Sequence, residues 1–317
     1  MKITVLDRAS LGKDTPFDVL RELGDVVIYD ATAPDEVNER IGDSDVIIVN
    51  KIKLTRDVLS NAKKLKLACV FATGYDNIDT KAARELGIGV CNVPAYSTDS
   101  VTLLTLSTVL SLAAHLTEYN DFVMSGDYTR SGIPNRLTPV FHEIRGQKWG
   151  IIGYGNIGKA VGEVAKAMGA ELLVSKRTPI DGVRCVDVDT LCREADIITV
   201  HCPLNDSTRG LISKDRLGMM KKNVILVNES RGAVLDEAAV ADAIINGTIA
   251  AFGCDVYSTE PLPENHPFTR LFGMKNVILT PHAAWGAYEA RVRCINVIAS
   301  NIRAFLHGDV LNRVDLI

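Results

Sequence analysis

No CxxC pair occurs in the 317 residues, and the seven cysteines are an odd number, several of them inside apolar runs such as LKLACVFA and ITVHC. That argues against a paired disulfide framework and for buried, reduced thiols in a cytoplasmic compartment. There is no basic surplus, since 35 Lys and Arg face 39 Asp and Glu for a net charge of −4. A nucleic-acid or anionic-membrane partner is therefore not expected. No uncharged apolar stretch approaches the ~18 residues of a membrane-crossing helix, so no transmembrane span is expected. The opening MKITVLDRAS reads as a short strand. Its apolar run is too short for the core of a signal peptide and no cleavage pattern follows. Internal repeats and low-complexity segments are absent as well.

What is present is the composition of a globular protein, 47% hydrophobic and 23% charged. Its length allows two domains. Short apolar runs alternate with helical stretches. KITVLD (2–7), VVIYD (26–30), DVIIVN (45–50), LKLACVFA (65–72) and IGVCNV (88–93) form a first series. KWGIIG (148–153), AELLV (170–174), ADIITVHC (195–202), NVILVN (223–228), AAFGCDV (250–256) and NVILT (276–280) form a second. The runs are continuous rather than alternating, which predicts strands buried on both faces, and strand–helix alternation predicts parallel sheets. The pattern reads as two α/β units. Between them lie a long apolar helix predicted over 100–124 and an irregular stretch over 126–140. A last helix is predicted over about 286–306.

The run GIIGYGNIGKAVG places Gly153, Gly155 and Gly158 in a GxGxxG pattern. It follows a strand and opens a helix with Val161, Val164, Ala165 and Met168 at helical spacing, the context that makes the motif specific. The first glycine permits the tight turn, the second lets the backbone approach a pyrophosphate, and the third lets helix and strand pack closely. The helix N-terminus then offers N–H groups to phosphate. A site that prefers NAD carries an acid about 20 residues further on. Here the next strand ends in Ser175, Lys176 and Arg177. Two cations suit a 2′-phosphate, so NADP(H) is favoured over NAD(H). The alternative is a solvated strand end, with NAD bound less selectively.

Three later strands end in polar residues: Arg231 after NVILVN, Asp255 and Glu260 after AAFGC, and His282 after NVILT. Ligands in open α/β sheets bind beyond the carboxyl ends of the strands. Each residue alone reads as a solvated or structural group. Together, beside a dinucleotide motif, they suit hydride exchange with a keto acid. A cation binds the carboxylate and polarises the carbonyl (Arg231). An imidazole supplies the proton (His282). A carboxylate orients that imidazole (Glu260).

The ordered set FATGYDNIDTKAARELGIGVCNVPAYSTDSV (71–101), GIIGYGNIGKAVG (150–162), HCPLNDSTRGLI (201–212), VNESRGAVLDEAAVADAI (227–244), GCDVYSTEPLP (253–263) and LTPHAAWGAYEAR (279–291) resembles the D-isomer-specific 2-hydroxyacid dehydrogenases over nearly the whole chain. The resemblance implies an α/β fold of two Rossmann-like, doubly wound parallel-sheet domains with an active-site cleft between them. The substrate domain would comprise 1–99 plus 286–317, and the dinucleotide domain 100–285. It implies catalytic roles for Arg231, Glu260 and His282. Asp255 would hold the nicotinamide carboxamide. Asn156 and Ile157 of the glycine loop, Thr105, Cys202, Pro203, Thr208 and Ser230 would lie along the cofactor. Backbone amides around Thr73 and Gly74 would cradle the substrate carboxylate. Members similar to this chain are homodimers joined through the helix at 100–124. No metal is implied.

PHAAWG with ATGYDN resembles the glycerate dehydrogenase and hydroxypyruvate/glyoxylate reductase branch. Trp285 would wall the pocket, or else pack at an interface. Lys51, at the end of a first-domain strand, is a second candidate substrate contact. A small polar 2-keto acid is expected, hydroxypyruvate first and glyoxylate second. Alternatives are pyruvate, as in D-lactate dehydrogenases, and an NAD(H)-sensing binding protein of the corepressor type. The chain departs from the family pattern in three places. Lys176 stands where an acid is usual, Glu229 precedes Ser230–Arg231, and the run SVTLLT lacks a Gln or Glu near Leu103.

Overall fold

The structure, a computed structural model, describes residues 1–178 and 180–317. The chain divides into two compact units, Met1–Ser97 with Gly286–Ile317, and Thr98–Trp285.

In the first unit, strands β1 (Lys2–Val5), β2 (Asp25–Ile28), β3 (Val46–Val49), β4 (Leu67–Val70) and β5 (Gly89–Cys91) form one sheet in the order β2-β1-β3-β4-β5. Every pairing is parallel. Parallel strands need crossovers, here α1 (Asp18–Arg21), α2 (Val37–Ile41), α3 (Arg56–Asn61) and α4 (Thr80–Glu85). Thr55 and Asp79 cap α3 and α4 by accepting from Val58 N–H and Ala82 N–H. Strands β3 and β4 are buried at every residue, as their unbroken apolar runs predict. The sheet order reverses between β1 and β3, the position where open α/β sheets bind ligands.

The second unit opens with α5 (Thr98–Ala113), α6 (Leu116–Met124) and α7 (Asp127–Ser131). Its strands are β6 (Lys148–Ile152), β7 (Glu171–Ser175), β8 (Arg184–Cys185), β9 (Ile197–Val200), β10 (Ile225–Asn228), β11 (Ala251–Cys254) and β12 (Val277–Leu279). Their order is β12-β11-β10-β9-β6-β7-β8. This is the dinucleotide-binding order, with the reversal between β6 and β9. The helices α8 (Asn156–Ala167), α9 (Val188–Glu194), α10 (Lys214–Met219) and α11 (Glu237–Ile245) connect the strands. The last helix, α12 (Tyr288–His307), belongs to the first unit.

Because side chains alternate across a strand, the second sheet feeds two cores. Ile151 and Val227 join Trp149, Val109, Val161 and Ala165 on the face of α5 and α8. Ile152 and Leu226 join Leu191, Leu217, Val240 and Phe252 on the opposite face. Glycine at 253 lets α5 approach β11, for a Cβ there would stand 2.3 Å from Thr108 Cγ2.

Three expectations need correction. The single helix over 100–124 is two helices bent by 65°, with His115 between them in the left-handed region at φ 50°. The physical reason is the extent of the sheet. Helix α5 buries Val101, Thr105, Val109 and Leu112, whereas α6 buries no residue. Past the sheet, α6 has no buried face to keep it on the axis of α5. The stretch over 126–140 is not wholly irregular, since it contains α7. Strand β8 was not foreseen, because two residues are too short for any periodic signal. No single helix among the described residues is long and apolar enough to cross a membrane.

Candidate active site

The glycine loop follows β6. Gly153 has φ 92°, and a Cβ on it would lie 2.5 Å from the Cys202 nitrogen. Its own N–H donates to the Ser175 carbonyl at 3.0 Å. The loop is therefore wedged between the ends of β9 and β7, where only glycine fits. A Cβ on Gly158 would lie 2.2 Å from the Gly153 carbonyl oxygen, which accounts for the close approach of α8. Gly155 differs, because a Cβ there would meet nothing within 4 Å. Protein packing does not demand glycine at 155, whereas a pyrophosphate lying against the backbone does. No side chain caps the start of α8, so the first-turn N–H groups around Asn156 and Ile157 remain available to an anion. On these grounds the loop fits a dinucleotide.

Around it, Lys176 and Arg177 are exposed beyond β7. Cys202 is buried, and burial pushes its thiol up to about 11. Pro203 and Thr208 close a turn in which the Thr208 hydroxyl donates to the Pro203 carbonyl at 2.7 Å and accepts from Asn205 N–H at 2.8 Å. Thr105 calls for a correction. It is 0% exposed and its hydroxyl donates to the Val101 carbonyl at 2.8 Å, so it presents no surface to a cofactor.

Beyond β10, Asn228 organises the arginine loop. Its side-chain oxygen accepts from Ser230 N–H and Oγ at 3.1 and 2.8 Å, and its Nδ2 donates to the Arg231 carbonyl at 3.0 Å. Arg231 Nη1 donates to the Ser230 carbonyl at 2.8 Å. A Cβ at Gly232 would stand 2.1 Å from the Tyr257 carbonyl carbon, so the arginine loop packs directly on the segment that carries Glu260. That segment is clamped from behind. Glu237 of α11 accepts from Ser258 N–H at 2.8 Å and lies 3.0 Å from His266 Nε2. Phe268 N–H donates to His266 Nδ1, so Nε2 carries the ring proton toward Glu237.

Glu260 Oε1 accepts from Tyr257 N–H at 3.1 Å, and its Oε2 lies 2.7 Å from His282 Nδ1. An ionised carboxylate can only accept, so Nδ1 bears the proton in that bond and Nε2 is the nitrogen left to exchange one. The strand ends thus bring the histidine–carboxylate pair together, and Gly232 sets the Arg231 loop against the segment carrying its carboxylate. Asp255 is 1% exposed and accepts from Thr280 Oγ1, Ala283 N–H and Ala284 N–H at 2.6, 2.8 and 2.9 Å. Trp285, half-buried, ends the unit directly after that loop.

Both carboxyl oxygens of Glu229, both ring nitrogens of His201 and the Thr102 hydroxyl are buried without hydrogen-bond partners. Burial, with a smaller push from Asp255, raises the Glu229 carboxyl to about 9, so it is a neutral acid at neutral pH. Burial drives His201 down to about 3, so it too is neutral. Val200 pairs with Asn228, which puts His201 and Glu229 at the next position along the same two strands.

In the first unit, Asp7 lies just past β1. Its carboxylate accepts from Asn50 N–H at 3.0 Å and Lys51 N–H at 2.7 Å. Asn77 Nδ2 donates to the Ile52 carbonyl at 2.8 Å from the other side. The Lys51 loop is thereby gripped at the sheet's reversal point. Thr73 donates its hydroxyl to the Val93 carbonyl at 2.8 Å, and Asn92 Nδ2 donates to the Thr73 carbonyl at 2.7 Å. Gly74 follows, half-buried. Asn228, Glu237, His266, Asp7 and Asn77 escaped the sequence reading. Only Asn228 had a local signal, a polar residue closing an apolar strand before Ser-Arg-Gly.

A family model described as the NAD binding domain of D-isomer specific 2-hydroxyacid dehydrogenase matches residues 106–284. The chain is 36% identical to the hydroxypyruvate reductase of Blautia hydrogenotrophica, over 99% of this chain and 100% of that one. It is 34% identical to the glycerate dehydrogenase of Methylorubrum extorquens, over 99% of each. Among solved structures, the D-lactate dehydrogenase of Aquifex aeolicus complexed with NAD and lactic acid matches with a TM-score of 0.87 at 26% identity, over 99% of each chain.

Proposed function

The chain belongs to the D-isomer-specific 2-hydroxyacid dehydrogenase family, and on that footing we propose that it reduces a small 2-keto acid, hydroxypyruvate first and glyoxylate second. The observation that carries the reading is the 2.7 Å pair of His282 Nδ1 and Glu260 Oε2, joined through Gly232 to the Arg231 loop, on a sheet with an open glycine loop. The hydroxypyruvate reductase and glycerate dehydrogenase relatives support the substrate class.

A reduced nicotinamide dinucleotide bound at the glycine loop supplies the hydride. Arg231 binds the substrate carboxylate and draws charge onto the keto oxygen. His282 Nε2 donates the proton that this oxygen takes up, and Glu260 keeps the ring turned for the transfer. In the reverse direction His282 accepts that proton and Glu260 balances the imidazolium charge. Lys51 and the amides around Thr73 and Gly74 are the first unit's candidate substrate contacts. Trp285 limits substrate length.

The cofactor preference is for NADP(H). Its support is the exposed pair Lys176 and Arg177 just beyond β7. Two further readings accompany it. The protein is a homodimer, joined through the region expected as one helix over 100–124 together with the segment that follows it to residue 141. That stretch exposes Leu116, Met124, Ile133, Leu137, Val140 and Phe141. It works in the cytoplasm, which suits seven free thiols, six of them buried.

The test is steady-state reduction of hydroxypyruvate, glyoxylate and pyruvate with NADPH and NADH side by side, with the oligomeric state measured by light scattering. Fastest turnover with NADPH and hydroxypyruvate is the expected result. Fastest turnover with pyruvate would reassign the substrate to that of the D-lactate enzymes. No turnover with any pair would overturn the reductase reading.

A further inference from the structure

We propose that Asp255 is the positioning residue for His282, holding the backbone of the loop 280–284 while Glu260 holds the ring. The inference rests on His282 being the acid/base.

His282 is a non-glycine residue at φ 53°, a conformation that a residue with a Cβ does not keep without outside support. The support comes from one carboxylate. Asp255 Oδ1 accepts from Thr280 Oγ1, two residues before the histidine, and from Ala283 N–H, the residue after it. Its Oδ2 accepts from Ala284 N–H. The three bonds straddle His282 and run from 2.6 to 2.9 Å, the range of charge-assisted hydrogen bonds. Two neighbouring contacts reinforce them. The Tyr257 hydroxyl donates to the Thr280 carbonyl at 2.8 Å, and Ser100 Oγ donates to the Ala284 carbonyl.

The φ of residue 282 determines where its Cβ points, and so where the imidazole can reach. Glu260 then selects the rotation of the ring through Nδ1. Both carboxylates sit on the segment that follows β11, so a single strand end fixes both the backbone and the ring of the histidine. A carboxylate has about four acceptor positions. Three are occupied here, so the nicotinamide carboxamide, the partner that resemblance alone assigns to Asp255, is left at most one. Holding the loop is thus the first task of this side chain.

The test compares Asp255→Asn with the native enzyme in three measurements: amide hydrogen exchange at Ala283 and Ala284, NADH and NADPH dissociation constants, and kcat at saturating cofactor. An amide in place of the carboxylate turns one acceptor into a donor facing an N–H. The expected result is at least tenfold faster exchange at both amides and a kcat lowered about a hundredfold, the size of effect that small misplacement produces. Cofactor dissociation constants should change little. Thr280→Val removes one bond of the three and guards against a misfolded first variant. It should lower kcat about tenfold, and Thr280→Ser should restore it. Weakened cofactor binding with unchanged exchange and unchanged kcat would overturn the proposal and make Asp255 a cofactor ligand. The exchange readout does not depend on turnover. If His282→Ala left turnover intact, the acid/base reading would fall while the exchange result still reported on the loop.

Discussion

Each unit places a buried aspartate just past a strand end and uses it to grip a loop. In the first unit Asp7 holds the N–H groups of Asn50 and Lys51. In the second, Asp255 holds Thr280, Ala283 and Ala284. The surroundings differ. Every buried side-chain polar atom left unpartnered among the described residues, on Thr102, His201 and Glu229, lies in the second unit. There the gripped loop also carries a histidine in the left-handed region. Proteins tolerate strain and unmet polar groups where chemistry requires them. The contrast therefore rests on the unmet polar groups of the second unit and not on left-handed backbone, since the first unit holds Ala95 and Asn312 at φ 59° and 52°.

The largest test of that contrast is His282→Ala. Turnover should fall by about 10²- to 10⁴-fold, the usual contribution of a positioned acid/base, with NADPH affinity intact by fluorescence titration. Unchanged turnover would remove the second unit's claim to the chemistry.

Glu229→Gln tests the idea of tolerated cost. The unfolded chain releases this proton near the ordinary carboxylate range, whereas the folded chain keeps it to about 9. Between those limits the folded state binds more protons, so the group's contribution to stability falls as pH rises and flattens above about 9. Each unit of displacement is worth about 1.4 kcal/mol. The glutamine variant should match the native protein in urea unfolding near pH 5 and exceed it by a few kcal/mol at pH 8. Parallel curves at all pH values would show that Glu229 is ionised.

Asp7→Ala tests the scaffold side. Two backbone N–H groups lose their partner, for a loss of about 2 kcal/mol in unfolding free energy. The KM for the keto acid should rise, with kcat kept. A kcat loss as deep as that expected for Asp255→Asn would erase the distinction between the units. The smallest effect belongs to Lys176→Asp, which should move the NADPH/NADH ratio of kcat/KM toward NADH by about tenfold, one phosphate contact's worth. No change would show that the side chain faces away from the ribose.

Much of this was legible in the chain. The continuous apolar runs foretold buried parallel strands, since burial on both faces leaves no alternation to preserve. Gly153, Gly155 and Gly158 announced the loop because each answers a local demand of backbone geometry. Arg231, Glu260 and His282 stood out because each falls a few residues past a strand. Other features left no local trace. The break at His115 depends on where the sheet ends beneath α5. The burial of Thr105 depends on which helical face meets the sheet. Glu237 and His266 lie 29 residues apart and meet only in the folded chain.

The sequence by itself determined the α/β class and the dinucleotide loop and singled out Arg231, Glu260 and His282 as candidates, because those follow from periodicity and from positions counted along one strand. Only the tertiary structure decided that Asp255 holds the His282 loop, that Asp7 holds the Lys51 loop and that burial raises the proton affinity of Glu229. Hydrogen-bond partners and proton affinity depend on distance and burial in space, and neither is fixed by separation along the chain.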